Sequence, residues 1–287
     1  MNCRQCPRSC GVDRSNALGY CRAPQQPVIA RAALHYWEEP CISGKEGSGA
    51  IFFSGCVMRC VFCQNSSISR NATGKTVSAK DLAEIMRRLE GEGANNINFV
   101  NPTHYVHAII SALEIYRPNI PIVYNSGGYE SKETIRSLKG ICDVYLPDYK
   151  YADDDLAMKF SNVRDYSTVA HEAILEMITQ TGEPKYDKRG IILKGTIIRH
   201  LILPSHVMNS IKVLKQIAKL PKTPVSIMAQ YTPYNDLSSF PDIDRKLTQK
   251  ELDRVINFAN KLGIEGYIQS LESASSEFIP DFDGTGI

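Results

Sequence analysis

From Ala50 onward, short apolar runs alternate with longer stretches whose apolar residues recur at helical spacing, and few folds accommodate that order. The short runs are Ala50–Ser54, Asn96–Val100, Pro121–Asn125, Asp143–Pro147, Thr196–Leu203, Val225–Gln230 and Gly266–Ser270. Helical patterns fill the gaps at Ser78–Leu89, Tyr105–Tyr116, Lys132–Leu138, Thr168–Thr179, Val207–Leu220 and Gln249–Leu262. Ser78 with Asp81, and Thr248 with Glu251, are spaced as N-terminal capping boxes. Leu82, Ile85, Met86 and Leu89 make one apolar stripe, and Gly91 is a stop signal. Thr181–Gly190 reads as a loop. Strands alternating with helices imply βαβ units, a parallel sheet and right-handed crossovers. The expected fold class is therefore α/β, a full or partial (β/α) barrel. Periodicity does not separate the closed form from the open one.

Residues 1–48 differ from this: they are rich in Cys, Pro, Arg and Gly and show little periodicity. The chain thus divides into a small metal-binding N-terminal segment, 1–48, and a barrel domain, 49–287. No apolar run approaches the roughly 18 residues that span a bilayer, and cysteines and prolines stand where a signal peptide has its apolar stretch. A net charge of +2 gives no general pull toward nucleic acid or an anionic membrane. A cytoplasmic protein without nucleic-acid or membrane partners is expected. Arg87-Arg88 and Asp153-Asp154-Asp155 read as solvated helix faces.

Nine cysteines are present, and seven of them fall into two tight clusters. An odd number grouped in this way argues for metal binding in a reducing compartment rather than for a disulfide framework. After the first barrel strand the chain reads Cys56-Val57-Met58-Arg59-Cys60-Val61-Phe62-Cys63, with no further cysteine before Cys142. An electron-transfer Fe–S cluster normally takes four thiolates. Three leave one iron open, as catalysis requires, and the amino and carboxylate groups of a bound cofactor can fill it. Zinc sites favour paired Cys-x2-Cys, or pairs combined with His, and Cys56–Cys60 does not match. Active residues of parallel barrels gather at the carboxyl ends of strands. There lie the Cys56–Cys63 loop, Asn101-Pro102-Thr103-His104, Asn125-Ser126-Gly127-Gly128 and Asp148-Tyr149-Lys150.

The Cys56–Cys63 loop, with the aromatic Phe62 before the third cysteine, resembles the signature of the radical S-adenosylmethionine (radical SAM) superfamily. That resemblance implies a barrel of the radical SAM type, a [4Fe–4S] cluster on Cys56, Cys60 and Cys63, and S-adenosylmethionine with its adenine near Phe62. It also implies reductive cleavage of S-adenosylmethionine to methionine and a 5′-deoxyadenosyl radical that abstracts hydrogen from a substrate, with the protein positioning the cofactor. Phe62-Cys63-Gln64-Asn65, Asp148-Tyr149-Lys150 and Ile198–Pro204 are similar to segments of the pyruvate formate-lyase activating enzymes. Cys6–Arg14 and Phe278–Gly284 resemble a less characterised group of their homologues. The family's Gly-Gly-Glu-Pro is replaced by Asn101-Pro102-Thr103-His104, so the cofactor amino group must be bound differently in detail. Asn125 and Gly127 stand where the family has Asp-Thr-Asn-Gly; Gly-Gly there suits close backbone approach to a ligand or an ordinary turn. By the same resemblance Asp148 and Lys150 lie near the cofactor carboxylate or a cation, and Arg199 contacts the cofactor. Arg199 and His200 alternate on a strand and face opposite sides. His104 is placed to touch substrate, and no residue is singled out as a catalytic acid or base.

Cys3, Cys6, Cys10 and Cys21 supply four thiolates within nineteen residues, a second closed site for zinc or another Fe–S cluster. Cys41 and Cys142 are expected to be unligated. The implied partners are an electron donor such as flavodoxin or ferredoxin and a protein substrate, a glycyl radical enzyme. Modification of a small molecule or peptide is the alternative substrate class. A non-catalytic electron-transfer protein and a metal-stabilised binding module are the readings outside enzymology.

Overall fold

In the computed structural model, which describes residues 3–274 and 279–287, the chain enters its sheet at β1 (Val28–His35) and makes the single-turn helix α1 (Pro40–Ser43) before β2 (Ser48–Phe53). Helix α2 (Ser66–Arg70), strand β3 (Lys75–Thr76) and helix α3 (Ala79–Gly91) follow. Then β4 (Ile97–Val100), α4 (Val106–Ile115), β5 (Ile122–Ser126), α5 (Lys132–Ser137) and β6 (Val144–Pro147) alternate as expected. Helices α6 (Asp154–Ser161) and α7 (Tyr166–Thr181) lead to the hairpin of β7 (Lys185–Tyr186) and β8 (Ile192–Thr196). The chain continues through β9 (Ile198–Leu201), α8 (Val207–Ile217), β10 (Val225–Met228), α9 (Gln249–Lys261) and β11 (Gly266–Ile268). Both expected capping boxes form, Ser78 with Asp81 and Thr248 with Glu251. Among the described residues no helix is long and apolar enough to cross a membrane.

β2, β4, β5, β6 and β8 lie side by side in parallel, and β9, β10 and β11 form a second parallel set. The two sets join where Asp148 pairs with Arg199 in a parallel bridge and the Tyr149 amide donates to the Arg199 carbonyl at 2.7 Å. The strand expected at Thr196–Leu203 is thus one path, interrupted at Ile197 and begun earlier, at Ile192. Among the described residues no pairing carries β11 round to the other edge, where β1 runs antiparallel to β2 and β3 antiparallel to β1. The barrel is partial and open.

β1 is the element the periodicity of the N-terminal segment did not announce. Its antiparallel run, with His35 opposite Ser48, delivers the chain to the amino-terminal end of the barrel. There α1 enters the lumen from below. Cys41 and Ile42 pack on Val123, Val144, Leu146, Ile192 and Ile197, and the side-chain amides of Asn95 and Asn96 donate to the Ser43 and Ile42 carbonyls, each at 2.7 Å. Burial of Ile42 alone is worth roughly 1.5–3 kcal/mol. The carboxyl-terminal residues brace β1 from outside: the Ala32 amide donates to Thr285 at 2.9 Å and the Gly284 amide to Ala30 at 3.1 Å. Phe282 meets Phe52 edge-on at 5.4 Å, while Phe278 lies outside the described residues.

Glu130 is enclosed after β5, accepting from Thr103 Oγ1 at 2.6 Å and Tyr124 OH at 3.0 Å. Burial pushes its carboxyl up to about 7 from an ordinary 4.5. The folded state therefore keeps a proton that the unfolded chain loses, so this contribution to stability is complete below 4.5 and is lost as pH rises through about 7. Glu130→Gln is expected to flatten the fall of Tm between about pH 5 and 8 by about 5 °C relative to wild type. Thermal denaturation across that range checks it; parallel curves for the two proteins would refute it.

Candidate active site

The turn after β2 is forced by its neighbours. Gly55 has φ +84°, and a Cβ there would stand 2.5 Å from the Cys21 carbonyl oxygen, so only glycine fits. The next amide, of Cys56, donates to that same carbonyl at 3.1 Å. Beyond it the Met58 and Arg59 amides point at Cys56 Sγ from 3.4 and 3.5 Å, and Ser161 Oγ donates to Cys60 Sγ at 2.9 Å. Cys56, Cys60 and Cys63 line one lumenal cavity of about 260 Å³, and among the described residues no other cysteine does. Three thiols, two of them carrying N–H or O–H donors, are a donor set that can hold an Fe–S cluster with one iron left open.

Below the thiols the lumen is charged. Arg199 points inward from β9: Nε donates to Asp148 Oδ1 at 2.9 Å, Nη1 to Glu38 Oε2 at 3.1 Å, and Nη2 to Asn125 Oδ1. The Lys150 ammonium bonds the other Asp148 oxygen. Glu38 also accepts from Asn98 at 3.2 Å and Asn125 at 3.0 Å. Asp148, Lys150, Arg199 and Glu38 keep 11–16% of their side-chain area exposed, and all four line the cavity. Burial works against the charge on Asp148, yet Arg199 and Lys150 beside it hold its carboxyl below the usual range. Burial pushes the carboxyls of Glu38 and its neighbour Glu39 up, against the pull of Arg199.

The residues singled out from the sequence converge on this cavity. Phe62, Asn125, Gly127, Asp148, Lys150 and Arg199 all line it. Phe62 packs on Phe160 and Tyr231 with ring centroids 6.4 and 6.0 Å away. Gly127 leaves room beside Met58 Sδ, which would lie 3.1 Å from a Cβ, whereas Gly128 is dictated by the protein itself: at φ +80° its Cβ would meet the Asp148 carbonyl oxygen at 2.0 Å. His200 faces the helices, its Nδ1 donating to the Tyr149 carbonyl at 2.7 Å and its Nε2 bonded to Ser210 at 2.8 Å. His104, expected to touch substrate, does not reach the lumen. It is buried, its Nε2 donates to the Ser54 carbonyl at 2.8 Å, and its ring helps enclose a second cavity, also lined by Cys3, Cys6, Cys10 and Cys21. Cys41 sits in the lumenal floor and Cys142 is buried elsewhere in the core. The sequence reading missed Glu38 and Glu39. The signal was present in an acidic pair between the apolar run of β1 and Pro40, a place where solvated charge has no obvious reason to be.

Comparison with known proteins bears on the family and the fold. The sequence profile of the Radical SAM superfamily matches residues 50–184. An uncharacterized protein from Methanocaldococcus jannaschii is 32% identical over 278 residues, covering 92% of this chain and 76% of that protein. Streptococcus suis SuiB, solved with the precursor peptide SuiA, superposes on 78% of this chain with a TM-score of 0.52 at 16% identity; the match spans 49% of SuiB. A domain of pyruvate-formate lyase-activating enzyme from Bacteroides vulgatus gives a TM-score of 0.40 at 16% identity, over 67% of this chain and 91% of that one. With the family profile covering the first half of the barrel and a relative matched over 92% of this chain, the protein belongs to the radical SAM superfamily.

Proposed function

We propose that this protein cleaves S-adenosylmethionine reductively at a [4Fe–4S] cluster on Cys56, Cys60 and Cys63, and uses the radical to take hydrogen from a segment of a peptide or protein. A glycyl radical enzyme is the narrower form of that substrate class. The observation that carries the reading is the one cavity onto which three thiols, and among the described residues no fourth, open above a paired charge cluster. Held by Cys56, Cys60 and Cys63, such a cluster would supply one-electron reduction of the bound sulfonium and, through it, hydrogen-atom abstraction from the substrate.

The chain's own residues do the rest. Amide and hydroxyl donors to Cys56 and Cys60 favour added negative charge on the sulfurs, and so does the Lys150 cation near Cys60. Cys41 and Ile42 close the lumen from below and keep water from a reactive centre. Phe62, against Tyr231, offers an apolar wall suited to an adenine. Asn125, Asp148, Lys150 and Arg199 fix the polar end of whatever occupies the cavity. At the rim, Gln64, Asn65, Gln230 and Thr232 present side chains that can pair with a peptide backbone. SuiB, which shares this fold, was solved with a peptide bound. A small polar molecule is the second reading, favoured by the charged floor around Glu38 and Arg199.

Anaerobically reconstituted, reduced protein is expected to convert S-adenosylmethionine to methionine and 5′-deoxyadenosine, with Cys60→Ala falling at least about 100-fold. Chromatography of the products decides it, and equal rates in the two proteins would end the proposal. Deuterium transfer into deoxyadenosine from labelled peptides, but not from labelled small metabolites, separates the two substrate classes. Arg199→Met leaves Asp148 and Glu38 without their shared cation and is expected to cost about 3–5 kcal/mol of stability by urea denaturation. A loss below about 1 kcal/mol would contradict that account of the floor.

A further inference from the structure

The floor of the lumen holds more negative charge than its own cations balance. Among the described residues, the charged side chains lining the cavity are Glu38, Asp148, Lys150 and Arg199, and Glu39 is buried close to Arg199. That sets three carboxylates against two cations, and Lys150 faces the Cys60 thiol as well as Asp148. His35, which also lines the cavity, adds no charge, because burial holds its imidazole neutral above about 4.

Hydrogen bonding is unbalanced in the same sense. Glu38 Oε1 accepts from Asn98 and Asn125 and Oε2 from Arg199, which leaves one of the roughly four acceptor positions of a carboxylate. Asn98 is fully buried and its Nδ2 donates to Glu38, yet among the described residues its Oδ1 meets no donor. Glu39 Oε2 is likewise buried without one. Acceptors left alone in a low-dielectric interior are costly, and their potential is felt at the nearest open position, the Glu38 edge of the cavity. Burial pushes the Glu38 and Glu39 carboxyls up, as expected where positive charge falls short.

Above Glu38 the walls are apolar and aromatic. In the parallel register of β2 and β4, Ala50 stands opposite Asn98 and Phe52 opposite Val100. Alternate residues of a strand share a face, so Phe52 and Val100 stand one layer, about 6–7 Å, above Asn98. Trp37, Ile279 and Pro280 line the same cavity, and His35 meets Phe52 edge-on at 5.9 Å. A sleeve of rings and aliphatic groups ending on a carboxylate suits an alkyl chain with a cationic tip. A guanidinium needs a two-oxygen face, and both oxygens of Glu38 are already engaged.

We infer that Glu38 receives the ammonium group of an alkylamine, the tip of a lysyl side chain or of a free amine, with its stem along Trp37, Phe52 and Val100. This names the substrate class for the site proposed above and rests on that reading. No bond is made or broken at Glu38: it fixes the cationic end, so that carbons of the stem lie between the floor and the thiols.

Trp37 is the chain's one tryptophan and lines the cavity, so its fluorescence reports binding without turnover. The full chain, reconstituted and kept oxidised with S-adenosylmethionine present, is titrated with n-butylammonium and with its neutral counterpart 1-butanol. The ammonium is expected to bind at least about tenfold tighter, and Glu38→Gln to abolish that preference. Equal binding of the two, or a preference that survives Glu38→Gln, would overturn the inference. Should the variant not fold, the two titrations of wild type decide alone. A blocked lysyl tripeptide set against its norleucyl counterpart, and cadaverine set against 1-pentanol, distinguish the two sources. The pair with the larger ratio names the source, and ratios near one in both would again refute the assignment. Cleavage of S-adenosylmethionine by a protein without ammonium preference would sink this inference and leave the Cys56–Cys63 reading intact, whereas preference without cleavage would do the reverse.

Discussion

The guanidinium of Arg199 ties together parts of the chain that have no other reason to meet. Its three donor nitrogens go to Asp148 at the end of β6, Glu38 in the floor of the lumen and Asn125 at the end of β5. Its backbone meets Asp148 again, in the bridge that makes two sheets one. A charge enclosed among apolar strands survives only where geometry supplies several partners, and a planar guanidinium holds its donors in a fixed fork that reaches acceptors on three elements at once. The interior of this barrel can be polar because that one side chain is placed where every acceptor can reach it.

A second constraint runs through the turn after β2. The N-terminal residues lack a core of their own and are held by contacts to backbone: Arg14 donates to the Ala23, Pro24 and His104 carbonyls, and Arg8 to those of Val57 and Asn162. Gly55 exists to let Cys21 approach. The conformation of the Cys56–Cys63 loop is therefore set from both sides, by the strand that precedes it and by the segment packed behind it. Two features that look separate in the sequence form one piece of structure.

The barrel strands β2, β4, β5, β6 and β10 were legible because a strand buried on both faces leaves an unbroken apolar run, and its carboxyl end marks the active rim. The helices were legible through their stripes and caps: Ser78–Asp81 and Thr248–Glu251 form as read. The sequence could not reveal whether the barrel closes, because that depends on what lies beside the first strand. Here β1 occupies that edge, running antiparallel to it. Glu38 was missed for the same reason. It reaches the lumen by a route outside the βαβ order, so no rule about strand ends locates it. His104 stands at a strand end, but the turn at Thr103–Tyr105 rotates it away from the lumen toward the N-terminal segment. A position at the rim is readable from sequence; the direction of a side chain there depends on packing that comes from elsewhere.

The plug formed by α1 has a consequence for traffic. A barrel stopped at its lower end by Cys41 and Ile42 offers no passage through the floor. A ligand seated against the Arg199 cluster would therefore lie beneath whatever came to rest above it, and the deeper guest could not be reached from underneath.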